Sequence, residues 1–233
     1  MKQIAILCHW SSGSSILAKT LRDCGMQIGN EKTWWTAECE EQCEHGLLNT
    51  VGNLLYHGKD AGIERVKDVL KSYDKEASLN KWNIYGVKFT HALQKRCWEH
   101  ISPIFEKYWP DAKYIVQIRH PLEIICELEK AKSILEQVPD SWITNDEIVA
   151  SWISTFEATK ELVEKGATIL IYPDVFITGQ IKKVVKELGL KWNKSSNIFN
   201  KKDIMICSGK ELTKFRKDYP EADRIFKRLK AIA

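Results

Sequence analysis

Short apolar runs alternate with longer amphipathic stretches along most of the chain. Gln3–Cys8, Asn83–Lys88, Lys113–Arg119 and Thr168–Tyr172 are rich in Ile, Val and Leu and too short for stable helices, so they predict buried strands. Between them the apolar positions fall three and four apart. Ile16, Leu17, Leu21 and Cys24 stripe one helix, which Gly25 ends, and Ile63, Val66, Val69 and Leu70 mark a short one. Lys75–Lys81 reads as a polar connection, and residues 31–60 as helical in part. Leu93, Cys97, Ile101, Ile104 and Phe105 stripe a helix that must end near Pro110. Pro121 suits a helix start, where its missing N–H costs nothing, and Val138-Pro139-Asp140 breaks that helix. Ile148, Trp152, Phe156 and Val163 define a long helix closed by Gly166; Ile181, Val184, Val185 and Leu188 stripe another, closed by Gly189.

Strands alternating with helices predict a three-layer α/β fold. Its central, mainly parallel sheet has four to five strands, with helices on both faces, in a single domain over residues 1–233. Ligands of such sheets bind beyond the carboxyl ends of the strands. Four segments fall there and should converge: Cys8–Ser15, Lys88–His91, Arg119–Pro121 and Tyr172–Asp174. The first contains Ser11-Ser12-Gly13-Ser14-Ser15, between a buried strand and a helix. A helix N-terminus offers unpaired N–H groups and partial positive charge, Gly13 permits a tight turn, and the hydroxyls add donors. The loop therefore predicts a site for a phosphate-type anion, although the Walker pattern and its lysine are absent.

The 233 residues carry a net charge of +4, too mild to imply nucleic-acid binding but compatible with a local basic pocket. Seven cysteines, an odd number without framework spacing, point to reduced thiols in a reducing compartment. Cys39-x3-Cys43-x-His45 lacks a usual zinc spacing and a second ligand pair, so no metal is expected. Neither a signal peptide nor a transmembrane run is visible, and a cytoplasmic location is expected. Residues 190–208, with Lys191, Lys194, Lys201 and Lys202, read as a surface loop or as a flap over an anionic ligand.

The segment "IAILCHWSSGSSILAKTLRDCGMQIG" (4–29) resembles the first motif of PAPS-dependent sulfotransferases. "GVKFTHAL" (86–93) is similar to the family's next strand, and "KYIVQIRHPLEII" (113–125) to its second motif, a strand ending in Arg-x-Pro. "SWISTFEATKELVEKGATILIYPDVF" (151–176) and "IKKVVKELGLKW" (181–192) resemble the elements that follow. The resemblance implies 3′-phosphoadenosine 5′-phosphosulfate (PAPS) as co-substrate and a small-molecule or saccharide acceptor with a hydroxyl or amine. Ser11, Ser12, Gly13, Ser14 and Ser15 would hold the 5′-phosphosulfate, and Arg119 the 3′-phosphate. The guanidinium is a planar, permanently charged fork suited to phosphate.

Two positions depart from the family pattern. Ser11 stands where the family carries Lys or Arg, and Glu127 stands where it carries Ser, eight residues after the arginine. Lys88 is the candidate replacement cation, with His9 as a weaker one. His91 is the first candidate base because a neutral imidazole is available near neutral pH. Glu31, twenty residues after Ser11, is the second. Trp34, Trp35 and Tyr56 are candidates for lining an acceptor pocket. A non-catalytic nucleotide- or phosphate-binding protein of the same fold is the alternative reading, and a P-loop phosphotransferase a further one. The oligomeric state and the identity of the acceptor are left open.

Overall fold

The computed structural model describes residues 1–28, 43–130, 144–193 and 207–233, together with the backbone of 131–134. Glu31, Trp34, Trp35, Cys39, the break at Val138-Pro139-Asp140 and the basic positions Lys194, Lys201 and Lys202 lie outside the described residues.

Four strands, β1 (Lys2–Cys8), β2 (Ile84–Thr90), β3 (Lys113–Arg119) and β4 (Thr168–Tyr172), form one sheet in the order β2-β1-β3-β4. All three pairings are parallel. Side chains alternate across the sheet, so β1 contributes to two cores. Ala5 and Leu7 face one side, where they join Val87, Phe89, Val116 and Ile171. Ile4 and Ile6 face the other, with Ile115 and Leu170. The expected α/β architecture is present, with helices on both faces.

The second core is covered by α1 (Ser14–Asp23), α7 (Asp174–Ile177) and α8 (Gln180–Glu187), through Leu17, Leu21, Val175, Ile181, Val184 and Val185. The first takes α2 (Gly46–Tyr56), α3 (Glu64–Asn80), α4 (Lys95–Tyr108), α5 (Pro121–Ile134) and α6 (Asn145–Glu164). It is completed by α9 (Gly209–Asp218) and α10 (Pro220–Ile232), which insert Phe215, Ile225 and Leu229. Helix α6 starts on a capping box in which Thr144 and Glu147 satisfy each other's backbone N–H groups. Helix α4 ends at Tyr108, before Pro110, as expected.

Two expectations are corrected. Lys75–Lys81 is not a polar connection, because α3 runs on to Asn80. Tyr73 and Ala77 continue its buried stripe, and the Tyr73 hydroxyl donates to the Ile28 carbonyl at 3.2 Å, so the charged residues there occupy the solvent face. The second strand extends to Thr90, because Phe89 joins Val87 in the core and Thr90 stays in register with Cys8. Lys88 therefore lies within β2, and His91 stands just past its end.

Candidate functional site

β1 lies between β2 and β3, so the chain reverses its direction of winding around the carboxyl end of β1. This is the switch point where open parallel sheets leave a crevice. The four segments expected to meet there do meet. Lys88 Nζ donates to Ser15 Oγ at 2.9 Å. Arg119 Nη1 donates to the Ser11 carbonyl at 3.1 Å. A Cβ built on Gly13 would fall 2.5 Å from the ring of Tyr172.

The loop after β1 is turned by left-handed backbone at Ser11 (φ 53°) and Gly13 (φ 81°). Such positions direct successive N–H groups to one side. Gly13 is required twice over, by its φ and by the contact with Tyr172. It is also the N-cap of α1, where no side chain caps the exposed N–H groups and no acidic residue sits in the first turn. The Ser12 hydroxyl is buried and has no hydrogen-bond partner among the described residues. Its carbonyl is held by Gln117 Nε2 at 2.9 Å. An uncapped helix start, an unanswered buried hydroxyl and an ammonium on Ser15 fit an anion such as the phosphosulfate group.

Lys88 is itself paired. Its Nζ lies 2.8 Å from Glu44 Oε1, and both side chains are almost wholly buried. Thr90 Oγ1 donates to the same carboxylate. Beside this pair runs a chain of neutral groups whose protons follow from one fixed acceptor. The Trp10 carbonyl only accepts, so His9 Nδ1 carries its proton and donates to it at 3.0 Å. His9 Nε2 then accepts from the Ser151 hydroxyl at 3.0 Å. Ser151 Oγ accepts from Gln94 Nε2 at 3.1 Å, and the same amide nitrogen faces His91 Nδ1 at 3.4 Å. In this arrangement His91 carries its proton on Nε2. Burial lowers the pKa of His9 to about 3 and that of His91 to about 4, so both rings are neutral at neutral pH. The Tyr56 ring lies 5.5 Å from that of His91.

Arg119, at the end of β3, is only 4% exposed. Besides the Ser11 carbonyl, its guanidinium meets two carboxylates, Glu123 Oε2 at 3.3 Å from Nε and Glu127 at Nη1. The Tyr172 ring lies over it at 5.0 Å. Burial raises the Glu123 pKa, with Arg119 opposing the rise. The residues here do not fit a 3′-phosphate, because the groups that would grip it are already engaged by acids.

Thus Ser11–Ser15, Lys88, His91 and Arg119 share one end of the sheet. Glu44, Gln94, Ser151 and Tyr172 complete the site without having been singled out. Glu44 follows an acid-rich stretch that hides it, Ser151 comes from the far helix α6, and only Tyr172, at a strand end, carried a positional signal. Of the cysteine–histidine segment, Cys43 is buried in the core and His45 caps α2, accepting from the Leu47 N–H at 3.2 Å. No group of metal-binding side chains occurs among the described residues. No described helix is long and apolar enough to cross a membrane.

No protein-family model and no curated protein sequence matches the chain. Solved structures do. A sulfotransferase domain from the curacin biosynthetic pathway matches with a TM-score of 0.52 and 13% identity, over 91% of this chain and 82% of that one. This chain has the sulfotransferase fold. A sulfotransferase domain from the olefin synthase of Synechococcus PCC 7002 matches over the same shares, with a TM-score of 0.48 and 14% identity. At these identities the likeness is one of fold.

Proposed function

We propose that this chain is a single sulfotransferase-like domain over residues 1–233. It moves a sulfuryl group from a nucleotide phosphosulfate, the class to which PAPS belongs, to a hydroxyl or amine of a small molecule or saccharide. The observation that carries this reading is the uncapped start of α1 with the Lys88 ammonium on Ser15, in a fold shared with a sulfotransferase domain.

In this reading the N–H groups after Gly13, with the hydroxyls of Ser12, Ser14 and Ser15, hold the phosphosulfate. Lys88 stabilises the charge that gathers on the departing phosphate oxygen. The acceptor oxygen or nitrogen bonds to sulfur as the bond from sulfur to that phosphate oxygen breaks, and the acceptor's proton passes to His91. His91 can receive it at Nε2 only when Nδ1 carries the ring proton. That requires Gln94 to present its amide oxygen to Nδ1, so Gln94 is a positioning residue for the base. Glu31 stays the second proposed base. A reducing, cytoplasmic setting belongs to the same reading, with Cys8, Cys43, Cys97, Cys126 and Cys207 as thiols.

The test is transfer of a sulfur-labelled sulfuryl group from adenosine phosphosulfates to a panel of phenols, amines and sugars without added metal. Labelled product that disappears in Lys88→Ala supports the reading. The pairing of both Lys88 and Arg119 with acids favours the alternative of a non-catalytic nucleotide-binding protein. Nucleotide binding without product across the panel would establish that alternative, and metal-dependent consumption of ATP would mark a phosphotransferase instead.

A further inference from the structure

We propose that the donor taken by this site is a nucleoside 5′-phosphosulfate with a free 3′-hydroxyl, of the adenosine 5′-phosphosulfate class, and that Glu127 excludes a 3′-phosphate. This inference rests on the sulfotransferase reading and narrows it.

The observation is a surplus of acid around Arg119 among the described residues. Glu123 and Glu127 are one helical turn apart on α5, and both turn back to Arg119, two residues before the helix starts. One guanidinium faces two carboxylates and a backbone carbonyl, so the cluster keeps one negative charge over. A phosphate monoester carries about −1.5 to −2 charges near neutral pH. To reach Arg119 it would have to displace a carboxylate that pairs with the guanidinium, and then lie beside it. Like charges brought together in a partly buried site oppose binding strongly.

A ribose hydroxyl has the opposite relation to the same group. The Glu127 side chain is 45% exposed and its Oε2 makes no hydrogen bond among the described residues, which leaves it an acceptor for a hydroxyl proton. An acidic side chain that accepts from a ribose hydroxyl and repels a phosphate at that position is how dinucleotide sites of open α/β sheets tell their two cofactors apart. The 5′ end of the nucleotide is unaffected. The uncapped α1 N-terminus and Lys88 belong to the β1 and β2 ends, and among the described residues Lys88 pairs with Glu44 while Glu123 and Glu127 turn to Arg119.

The experiment is equilibrium binding, by calorimetry, of adenosine 5′-monophosphate and adenosine 3′,5′-bisphosphate to the whole chain and to three variants. The unaltered chain should bind the monophosphate tighter, by on the order of tenfold. Glu127→Gln and Glu127→Ser should reverse that order by strengthening the bisphosphate, with the monophosphate changed by less than about threefold. Glu127→Asp, which keeps the charge, should keep the preference for the monophosphate. Tighter bisphosphate binding by the unaltered chain would overturn the proposal, as would a ratio that Glu127→Gln leaves unmoved. If neither nucleotide binds at all, the sulfotransferase reading fails first and this proposal falls with it.

Discussion

Two cations stand at the carboxyl edge of the same sheet, and their surroundings differ in one respect. Among the described residues, Lys88 in β2 pairs with the carboxylate of Glu44 and donates to Ser15 on the anion loop. Arg119 at the end of β3 meets two carboxylates and turns its remaining capacity to the Ser11 carbonyl. Among the described residues, the charges at one end of the crevice balance, with a donor facing the loop, and those at the other leave a surplus of acid. A cation at a strand end is therefore not by itself an anion site. The count of carboxylates that reach it decides the sign of what it can hold.

The contrast breaks most visibly at Lys88. Lys88→Met leaves Glu44 buried without its cation and should lower stability by about 3–5 kcal/mol. Chemical denaturation of Lys88→Met and of the double variant Lys88→Met/Glu44→Leu checks this. The double variant should recover most of the loss, and equal losses in both would show that the pair is not what matters.

Next comes the contact that joins the two ends. Gly13→Ala forces a side chain into left-handed backbone and against the Tyr172 ring, at about 2–4 kcal/mol. Tyr172→Ala in the same chain should relieve the steric share and leave the backbone share. Additive effects in the double-mutant cycle would mean the two residues do not touch.

The histidines supply a pH dependence. His9 has a folded pKa of about 3, and His45, His91 and His120 of about 4, all lowered chiefly by burial. The ordinary value of about 6.5 in the unfolded chain means that the unfolded state binds more protons. Stability is then fully present above about pH 6.5 and falls as pH drops from about 6.5 to about 4. Each histidine adds a slope approaching 1.4 kcal/mol per pH unit. Urea midpoints measured across that window test the direction, and a flat profile would deny that the four rings are buried neutral.

The smallest effect belongs to Glu127. Because Glu123 still pairs with Arg119 and Glu127 is half exposed, Glu127→Gln should change stability by less than about 1 kcal/mol. A large loss would mean that Glu127 is a structural partner rather than a guard of the crevice.

Much of this could be read from the chain. The strand runs, the helix stripes, the loop at Gly13 and the convergence of four strand ends all follow from local hydrophobic period and turn chemistry. Local period did less well where charged residues clothe a helix, as at Lys75–Lys81, because its one buried position, Ala77, is outnumbered by solvent-facing ones. It also stopped β2 at the buried Lys88, whose polarity looked like a strand end, while the pairing with β1 carried the strand on to Thr90.

Hydrophobic spacing along the chain was enough to specify a parallel sheet with an anion-ready helix start at its switch point, since both depend on neighbours a few residues apart. Which carboxylate answers each cation was settled only by the folded arrangement. Glu44 is 44 residues from Lys88 in the chain and 2.8 Å from it in space, and Ser151 of α6 reaches His9 in the loop after β1. Charge interactions depend on distance and burial, and neither is written in the order of the residues. The character of the crevice was therefore decided by packing, after the fold itself had been set by the pattern.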